Sequence, residues 1–455
     1  MEKMELTTEK NSHGRFKFVP FSSFDKWYVS YYINPYEIKS PHKIVLLKEL
    51  IHPKKERIKL QDYKGNLRVV KKISFKDGVI HLRKENETKM DLYTLNTDDL
   101  LVSKINFHQG AIAINRYQKI VCTTHYQPYS INRQFVIDEY LVLYLRSRTF
   151  QNYISFIRAE GIKNEATYEF IGSLPVPLPS IDAQEKILAT YCKAICKAEE
   201  QEQQAKRKEE EINPYLFDCL EVNLEKTERA TGISFIKHSL IDRWAADYLF
   251  NLNSIKGITK GKYPVLKVRN FLLSYQYGLS TKATEEPIGI PMLRMNNINN
   301  GELDIEDLKY IKIDNEKKQK VFLNKGDLLF NRTNSKELVG KTAVFELDDE
   351  YTFASYLIRL KLDDEKVNTH YINYLFNSPI GRIQIDMVSR QVLGQANVNA
   401  QELQDFVFPI PEMTVQNEIA NEIEKVKKAI QNLREKAEQN RQAALTYLEK
   451  AIFKN

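Results

Sequence analysis

Two stretches of the chain carry seam residues alternately four and three apart, mostly apolar, at matching points of a long repeat. In the first they are Ile187, Tyr191, Ala194, Ala198, Gln201, Ala205, Lys208 and Ile212. In the second they are Ile419, Ile423, Val426, Ile430, Leu433, Ala437, Asn440 and Ala444. Such spacing averages 3.5 residues, the seam of a coiled coil, and the remaining faces are Glu, Lys, Gln and Arg. Each stretch predicts a helix of roughly 30 residues, about 45 Å long, against about 34–36 Å for one turn of duplex. Lys208 and Asn440 are polar at one shared seam position, a device that fixes register with some loss of stability. The first seam is poor in Ile and Leu, so it needs the second helix or a partner protein. Asp182 and Thr414 are the expected N-caps, Asp182 forming a capping box with Glu185, and Pro214 predicts a stop or kink near Asn213.

Ahead of each helix the pattern is mixed. Leu100-Leu101-Val102 and Leu328-Leu329-Phe330 read as buried strands, followed by strands at Ala111–Ile114 and Thr342–Phe345. Apolar residues at helical spacing run from Tyr140 to Ile154 and from His370 to Met387. These elements recur in order. Pro177-x-Pro179 followed by Gln184 returns as Pro409-x-Pro411 followed by Gln416, a shift of 416 − 184 = 232. Leu95-Asn96-x-x-Asp99-Leu100-Leu101 returns as Leu323-Asn324-x-x-Asp327-Leu328-Leu329, Gly110 as Gly340 and Tyr140 as Tyr371. Asp25-Lys26-Trp27 with Tyr31-Tyr32 opens the first copy, and Asp242-Arg243-Trp244 with Tyr248-Leu249 the second. The chain divides into an N-terminal segment (1–22), a first globular part (23–176), a central helix (177–225), a second globular part (226–408) and a C-terminal helix (409–455). The expected class is α+β: two mixed α/β parts, each followed by a long helix, the helices pairing as an antiparallel coiled coil. Two copies of one scaffold with different loops should recognise different things.

At 455 residues more than one core is expected. A net charge of +7 permits an anionic partner without requiring one. Cys122, Cys192, Cys196 and Cys219 form no C-x-x-C pair, which fits small apolar residues in a reduced compartment. The polar start and the lack of a long apolar run predict a cytoplasmic chain without a membrane span.

Catalytic signatures are missing. The sixteen glycines form no G-x-G, so no nucleotide or cofactor loop is expected. Asn34-Pro35-Tyr36 and Asn213-Pro214-Tyr215 lack the second proline of an adenine-methyltransferase motif. Eight scattered histidines offer no zinc spacing, and no metal is expected. Glu87-x-Lys89 and Glu316-x-Lys318 match the tail of a nuclease motif, a triplet common by chance. The expectation is a binder with no active site and no cofactor.

Contacts to nucleic acid are expected in loops that follow buried strands. The first copy offers Lys104, Asn106, His108 and Gln109; the second offers Arg332, Thr333, Asn334 and Lys336. Arg pairs two-pronged with guanine, and Asn or Gln with adenine, on the major-groove edge. Ser280, Thr281, Lys282, Arg294, Asn296, Asn297, Gln395 and Asn397 extend the set in the second copy. The runs Lys54-Lys55-x-Arg57-x-Lys59 and Lys71-Lys72 suit phosphates, or simply a solvated face.

Together the two proline-flanked helix entries, Gly289-Ile290-Pro291-Met292-Leu293-Arg294 with Asn297-Ile298, Gly326-Asp327-Leu328-Leu329 and Asp242-Arg243-Trp244 resemble the specificity subunit of type I restriction-modification systems. The resemblance runs from about Asp25 onward. It implies two target-recognition domains, each reading half of a bipartite site in double-stranded DNA. It further implies helices that set the unread spacer and dock modification subunits through Ile187, Tyr191, Ile212, Ile419, Ile423, Val426, Ile430 and Leu433. Those subunits would use S-adenosylmethionine, and the assembly can recruit a restriction/translocase subunit. The first copy has Leu67-Arg68-Val69 where the second has Gly289-Ile290-Pro291. The rival expectations are a specificity module of another methylation-based phage-defence system and a coiled-coil scaffold that touches no DNA.

Overall fold

Strands form at the short apolar runs, and the runs are continuous because both of their faces are covered. The computed structural model describes residues 37–157, 166–224, 257–312, 321–392 and 394–454. The segment 1–22, both Trp-containing openings with their Tyr31-Tyr32 and Tyr248-Leu249 followers, Asn34-Pro35-Tyr36 and Glu316-x-Lys318 lie outside those residues. The chain forms two compact units: one holds residues up to Gln201 together with Glu435–Asn455, the other Glu202–Arg434. Each helix region expected to stand apart is therefore divided between the units.

In the first unit the shared elements are β1 (Lys43–Leu46), β2 (Ile51–Pro53), β3 (Leu100–Ser103), β4 (Ile112–Ile114), β5 (Tyr126–Ile131), α1 (Asp138–Arg146), α2 (Arg148–Ile157), α3 (Tyr168–Gly172), β6 (Pro175–Leu178) and the start of α4 (Ile181–Leu220). The central sheet is antiparallel, in the order β2-β5-β3-β4. Leu100 and Val102 face one core with α1 and α2, while Leu101 faces a second core with Val70, Ile80, Ile120 and Cys122. Burial on both sides explains the unbroken apolar run.

The second unit repeats the plan: β7 (Val265–Lys267), β8 (Leu272–Tyr277), β9 (Leu328–Asn331), β10 (Thr342–Val344), β11 (Leu357–Leu362), α5 (Thr369–Asn377), α6 (Pro379–Val388), α7 (Ala400–Gln404), β12 (Val407–Pro409) and α8 (Met413–Ile452). Its sheet order, β8-β11-β9-β10, matches element for element. The Leu67–Val69 departure keeps its structural place: Val69 bridges Val121 in parallel, as Met292 pairs with Thr352, and 352 − 121 = 231 is close to the repeat shift. Each expected helical stretch after the sheet splits in two at a serine. Ser147 Oγ accepts from the Phe150 N–H at 3.3 Å, and Ser378 Oγ from the Ile380 N–H at 3.1 Å beside Pro379.

The repeated letters map onto one set of bonds. Tyr140 donates to the Pro177 carbonyl at 2.8 Å, and Tyr371 to the Pro409 carbonyl at 2.8 Å. Gln184 is fully buried; Nε2 donates to the Phe135 and Pro179 carbonyls, both at 2.9 Å, and Oε1 accepts from the Ile137 N–H at 2.9 Å. Gln416 does the same with Lys366 (3.1 Å), Pro411 (2.9 Å) and the Asn368 N–H (2.9 Å). Asp99 and Asp327 accept from the Asn96 and Asn324 N–H groups at 2.7 and 2.8 Å. Proline fits β6 and β12 because each belongs to a two-stranded pair with a free edge.

The helices begin one residue before the expected caps, at Ile181 and Met413, so Asp182 and Thr414 lie inside the first turn. α4 runs through Pro214 to Leu220, because Leu216 and Leu220 fill the second unit's core and outweigh the lost backbone bond. The helices run antiparallel within each unit. In the first, Gln201 meets Asn440 while Ile187 and Tyr191 pack in one core with Leu448 and Ile452. In the second, Arg434 pairs with Glu209 while Ile212 and Leu216 pack with Ile419 and Ile423. Asn440 Nδ2 donates to Gln201 Oε1 at 2.8 Å, so its partner is not its repeat mate Lys208. Ile187, Ile419, Ile423 and Ile430 are buried inside this chain, and Tyr191, Ile212, Val426 and Leu433 are half-buried. That burial takes Ile187, Ile419, Ile423 and Ile430 out of any docking surface, while the other four stay partly open. Among the described residues no helix is long and apolar enough to cross a membrane.

Candidate nucleic-acid interface

β3 ends at Ser103, and the chain turns immediately. Ser103 Oγ accepts from the Asn106 N–H at 3.1 Å, Phe107 plugs the core edge-on to Phe150, and Gly110 closes the turn at φ +75°. Asn106 and His108 are half-buried on this turn and Gln109 is exposed. Lys104 lies with Nζ 5.7 Å from the centre of the Tyr93 ring. Beneath it, burial pushes the Cys122 thiol up to about 12, and the Lys104 charge opposes that only in part.

The stretch after β9 differs from the expected free loop. Thr333–Asn334 form a short strand paired with Gln395–Asn397, so two separately predicted groups meet in one sheet. Thr333 is buried and its hydroxyl donates to Asn397 Oδ1, which removes Thr333 as a reader, while Asn397 is half-buried. Asn334 Oδ1 accepts from the Ser335 N–H at 2.8 Å, and Lys336 is half-buried. Gln395 is exposed. The Arg332 guanidinium lies 4.9 Å from the Tyr277 ring centre. Gly340, at φ +88°, shares the positive φ of Gly110 but donates its N–H to the Asn331 carbonyl at 2.7 Å, where Gly110 donates to the Phe107 carbonyl at 3.0 Å.

Arg294 and Asn297 belong to the framework. Arg294 Nη2 donates to the carbonyl and to Oδ2 of Asp307, both at 2.9 Å. Asn297 is buried: Oδ1 accepts from the Arg294 N–H at 2.9 Å and Nδ2 donates to the Asp304 and Asp307 carbonyls at 2.8 and 2.9 Å. Asn297, buried and so engaged, is out of reach of a base, and Arg294 is tied by Nη2 to the same turn. Asn296 is exposed and shares a cleft of about 230 Å³ with Asn299, Asn334 and Lys341. Ser280, Thr281 and Lys282 are exposed after β8.

The basic runs divide. Lys54 pairs with Asp99 at 2.8 Å and Arg57 with Asp91 at 2.7 Å, whereas Lys55, Lys59, Lys71 and Lys72 are exposed. Glu87 and Lys89 line an open groove of about 980 Å³ with Tyr63 and Arg83. Among the described residues no three His, Cys, Asp or Glu side chains gather as metal ligands would. Below the second unit's interface, burial raises the Asp327 carboxyl above its ordinary range, against the Asn324 N–H and Arg359 3.7 Å away.

Sequence reasoning missed an aromatic face. Tyr275, Tyr277 and Tyr356 are all exposed by 40% or more, with Tyr275 edge-on to Tyr277 at 6.2 Å. The signal was present as Tyr275-x-Tyr277, since alternate residues of a strand share a face.

The family model for the type I restriction modification DNA specificity domain matches residues 39–205 and 275–440, each match taking in a globular part and its helix. The putative type I restriction enzyme MjaX specificity subunit of Methanocaldococcus jannaschii is 28% identical over 160 residues, 35% of this chain and 38% of that protein. The type I restriction enzyme EcoKI specificity subunit of Escherichia coli is 23% identical over 296 residues, 64% of this chain and 59% of that one. The matches thus span less than two thirds of these relatives' length. A solved structure from work on complex assembly and conformational transition of the type I R-M system shares the fold at TM-score 0.56 and 15% identity, covering 92% of this chain and 99% of that one. The chain belongs to the type I restriction modification DNA specificity domain family and carries that domain twice.

Proposed function

We propose that this chain reads sequence in double-stranded DNA as the specificity subunit of a type I restriction-modification complex. Each unit reads one half of a bipartite site, and the helices set the unread spacer. Modification subunits, which use S-adenosylmethionine, supply the chemistry, and a restriction/translocase subunit can join. One observation carries this reading: the two units repeat sheet order and buried bonds, while the segments after β3 and β9 share Asn106 and Asn334 but differ at the other positions from 104 to 109 and 332 to 337. A rigid shared base with unlike surface residues is what two different half-sites require. With Ile187, Ile419, Ile423 and Ile430 buried inside the chain, modification subunits would dock on what the helices leave open, including Tyr191, Ile212, Val426 and Leu433.

Methylome sequencing of a host expressing the chain with its modification subunit tests this. The expected result is one asymmetric motif with a fixed unread gap. A single uninterrupted motif would count against paired half-sites. No new methylation would favour the scaffold reading.

A further inference from the structure

Lys104 and Arg332 occupy one position of the repeat, at a shift of 332 − 104 = 228, and the backbone confirms it in space. The Lys104 N–H donates to the His125 carbonyl at 2.9 Å, and its carbonyl accepts from the Ala166 N–H at 2.8 Å. The Arg332 N–H donates to the Tyr356 carbonyl at 2.9 Å, and its carbonyl accepts from the Val398 N–H at 3.0 Å. His125 and Tyr356 directly precede β5 and β11; Ala166 and Val398 directly precede the caps Thr167 and Asn399 of α3 and α7. Both residues are clamped on both sides by the same framework.

Each side chain then lies on a tyrosine ring, Lys104 on Tyr93 and Arg332 on Tyr277. The rings come from unrelated places, Tyr93 from the strand Leu92–Leu95 and Tyr277 from β8. Two diverged copies have thus arrived at one arrangement by different routes. Neither cation has an ion pair or a side-chain hydrogen bond among the described residues, and both side chains are half-buried. Nearby cations fare otherwise: Lys54 holds Asp99, Arg294 holds Asp307 and Arg382 holds Asp386. Half-burying a cation without an anion is unfavourable, and a ring face offsets only part of that. The unengaged N–H groups of Lys104 and Arg332 are therefore open to an acceptor from outside.

Resting on the DNA-reading function above, we propose that Lys104 and Arg332 are the matched DNA-contact positions of the two units. Arg332 reads a guanine and Lys104 holds a phosphate. The Tyr277 ring, 4.9 Å from the guanidinium carbon, restricts a side chain whose fork suits the guanine O6 and N7 acceptors. Exposed Gln395 on the adjoining sheet is placed to read a neighbouring base. Lys104 ends in a compact point charge without a fork, which suits a phosphate oxygen.

The test uses the full-length chain, selection from randomised duplex DNA, and affinity titrated against salt. Arg332→Lys and Arg332→Met should lower the preference for one G·C pair about tenfold or more and leave other positions unchanged. Arg332→Lys keeps the charge, so its salt slope should stay at the wild-type value, a split that a structural role would not produce. Lys104→Met and Lys104→Gln should weaken all sequences alike and reduce the salt slope by about 1. Thermal midpoints check folding, and if Arg332→Met or Lys104→Met fails to fold, Arg332→Lys and Lys104→Gln decide. Wild-type base profiles in both Arg332 variants, or unchanged slopes in the Lys104 variants, overturn the assignment while leaving DNA reading intact. A wild-type chain with neither sequence preference nor salt dependence would instead overturn the DNA reading itself.

Discussion

Replacing Gln416 by Leu removes three hydrogen bonds at once, those to the Lys366 and Pro411 carbonyls and to the Asn368 N–H. Lys366 is exposed, so water can replace one of them. The Pro411 carbonyl and the Asn368 N–H stay behind a side chain that was fully buried. Each buried group left unpaired costs about 1–3 kcal/mol, and Leu restores some apolar packing, so the net loss should be about 3 kcal/mol. Against a domain stability of about 5–15 kcal/mol that is large but survivable. Gln184→Leu should cost a similar amount, since it loses the equivalent three bonds and the Phe135 carbonyl is the one water can reach. Denaturant melting gives the magnitude, and hydrogen exchange read by mass spectrometry gives the location. Gln416→Leu should loosen peptides of the second unit and Gln184→Leu those of the first. Losses under about 1 kcal/mol in both variants, or loosening of the wrong unit, would refute the claim that these glutamines clasp the helix entries.

Ile423→Asp should unfold the second unit at a cost of about 4 kcal/mol or more, because it places a charge in that unit's core; a thermal midpoint near the wild-type value would contradict the burial. Gly110→Ala should cost about 1 kcal/mol, for its positive φ alone, because the nearest side-chain atom to an added Cβ is 3.9 Å away. Gly340→Ala should cost about 2–4 kcal/mol, because its Cβ would lie 2.3 Å from buried Ile385; equal melting points for the two variants would refute this. Ending the chain at Arg434 should abolish exchange protection in the first unit while the second keeps its own, and protection of the first unit at full-length values would refute it.

The fold was legible where identical letters recur because they make identical bonds. Pro-x-Pro with Gln, the Asn-x-x-Asp turn and the paired Tyr positions each proved to be one contact made twice, and the paired Gly positions one positive φ. The caps were misplaced by a residue because Asp182 and Thr414 have the right chemistry and only backbone geometry distinguishes the cap from the first turn. The stop foreseen at Pro214 does not occur because local propensity ignores tertiary packing, here Leu216 and Leu220 in a core. The interface was only half legible. Polar letters such as Asn297 and Thr333 look the same whether they face solvent or tie a turn, and the difference lies in partners distant in sequence. Tyr275 and Tyr277 were overlooked because an apolar residue is read as core by default.

The helices explain why the repeat is a structural unit although it is not a foldable segment. The first unit's core contains Leu448, Ile452 and Phe453, from the far end of the chain. That end of the chain is stitched to the segment leading into β1: the Lys454 N–H donates to the Lys39 carbonyl at 2.9 Å, and Ser40 Oγ donates to the Ile452 carbonyl at 2.5 Å. The second unit makes the same join within continuous sequence, where Leu216, Leu220 and Val222 fill its core and the Lys262 N–H donates to the Leu220 carbonyl at 3.1 Å. Each globular part is thus completed by the end of the helix that belongs to the other copy. Burying each Leu, Ile or Phe at such a join contributes about 1.5–3 kcal/mol, so three of them amount to a large share of a domain's stability. Neither copy excised as contiguous sequence would keep its core. That mutual dependence accounts for why the buried framework of the two copies stays alike while their exposed segments do not.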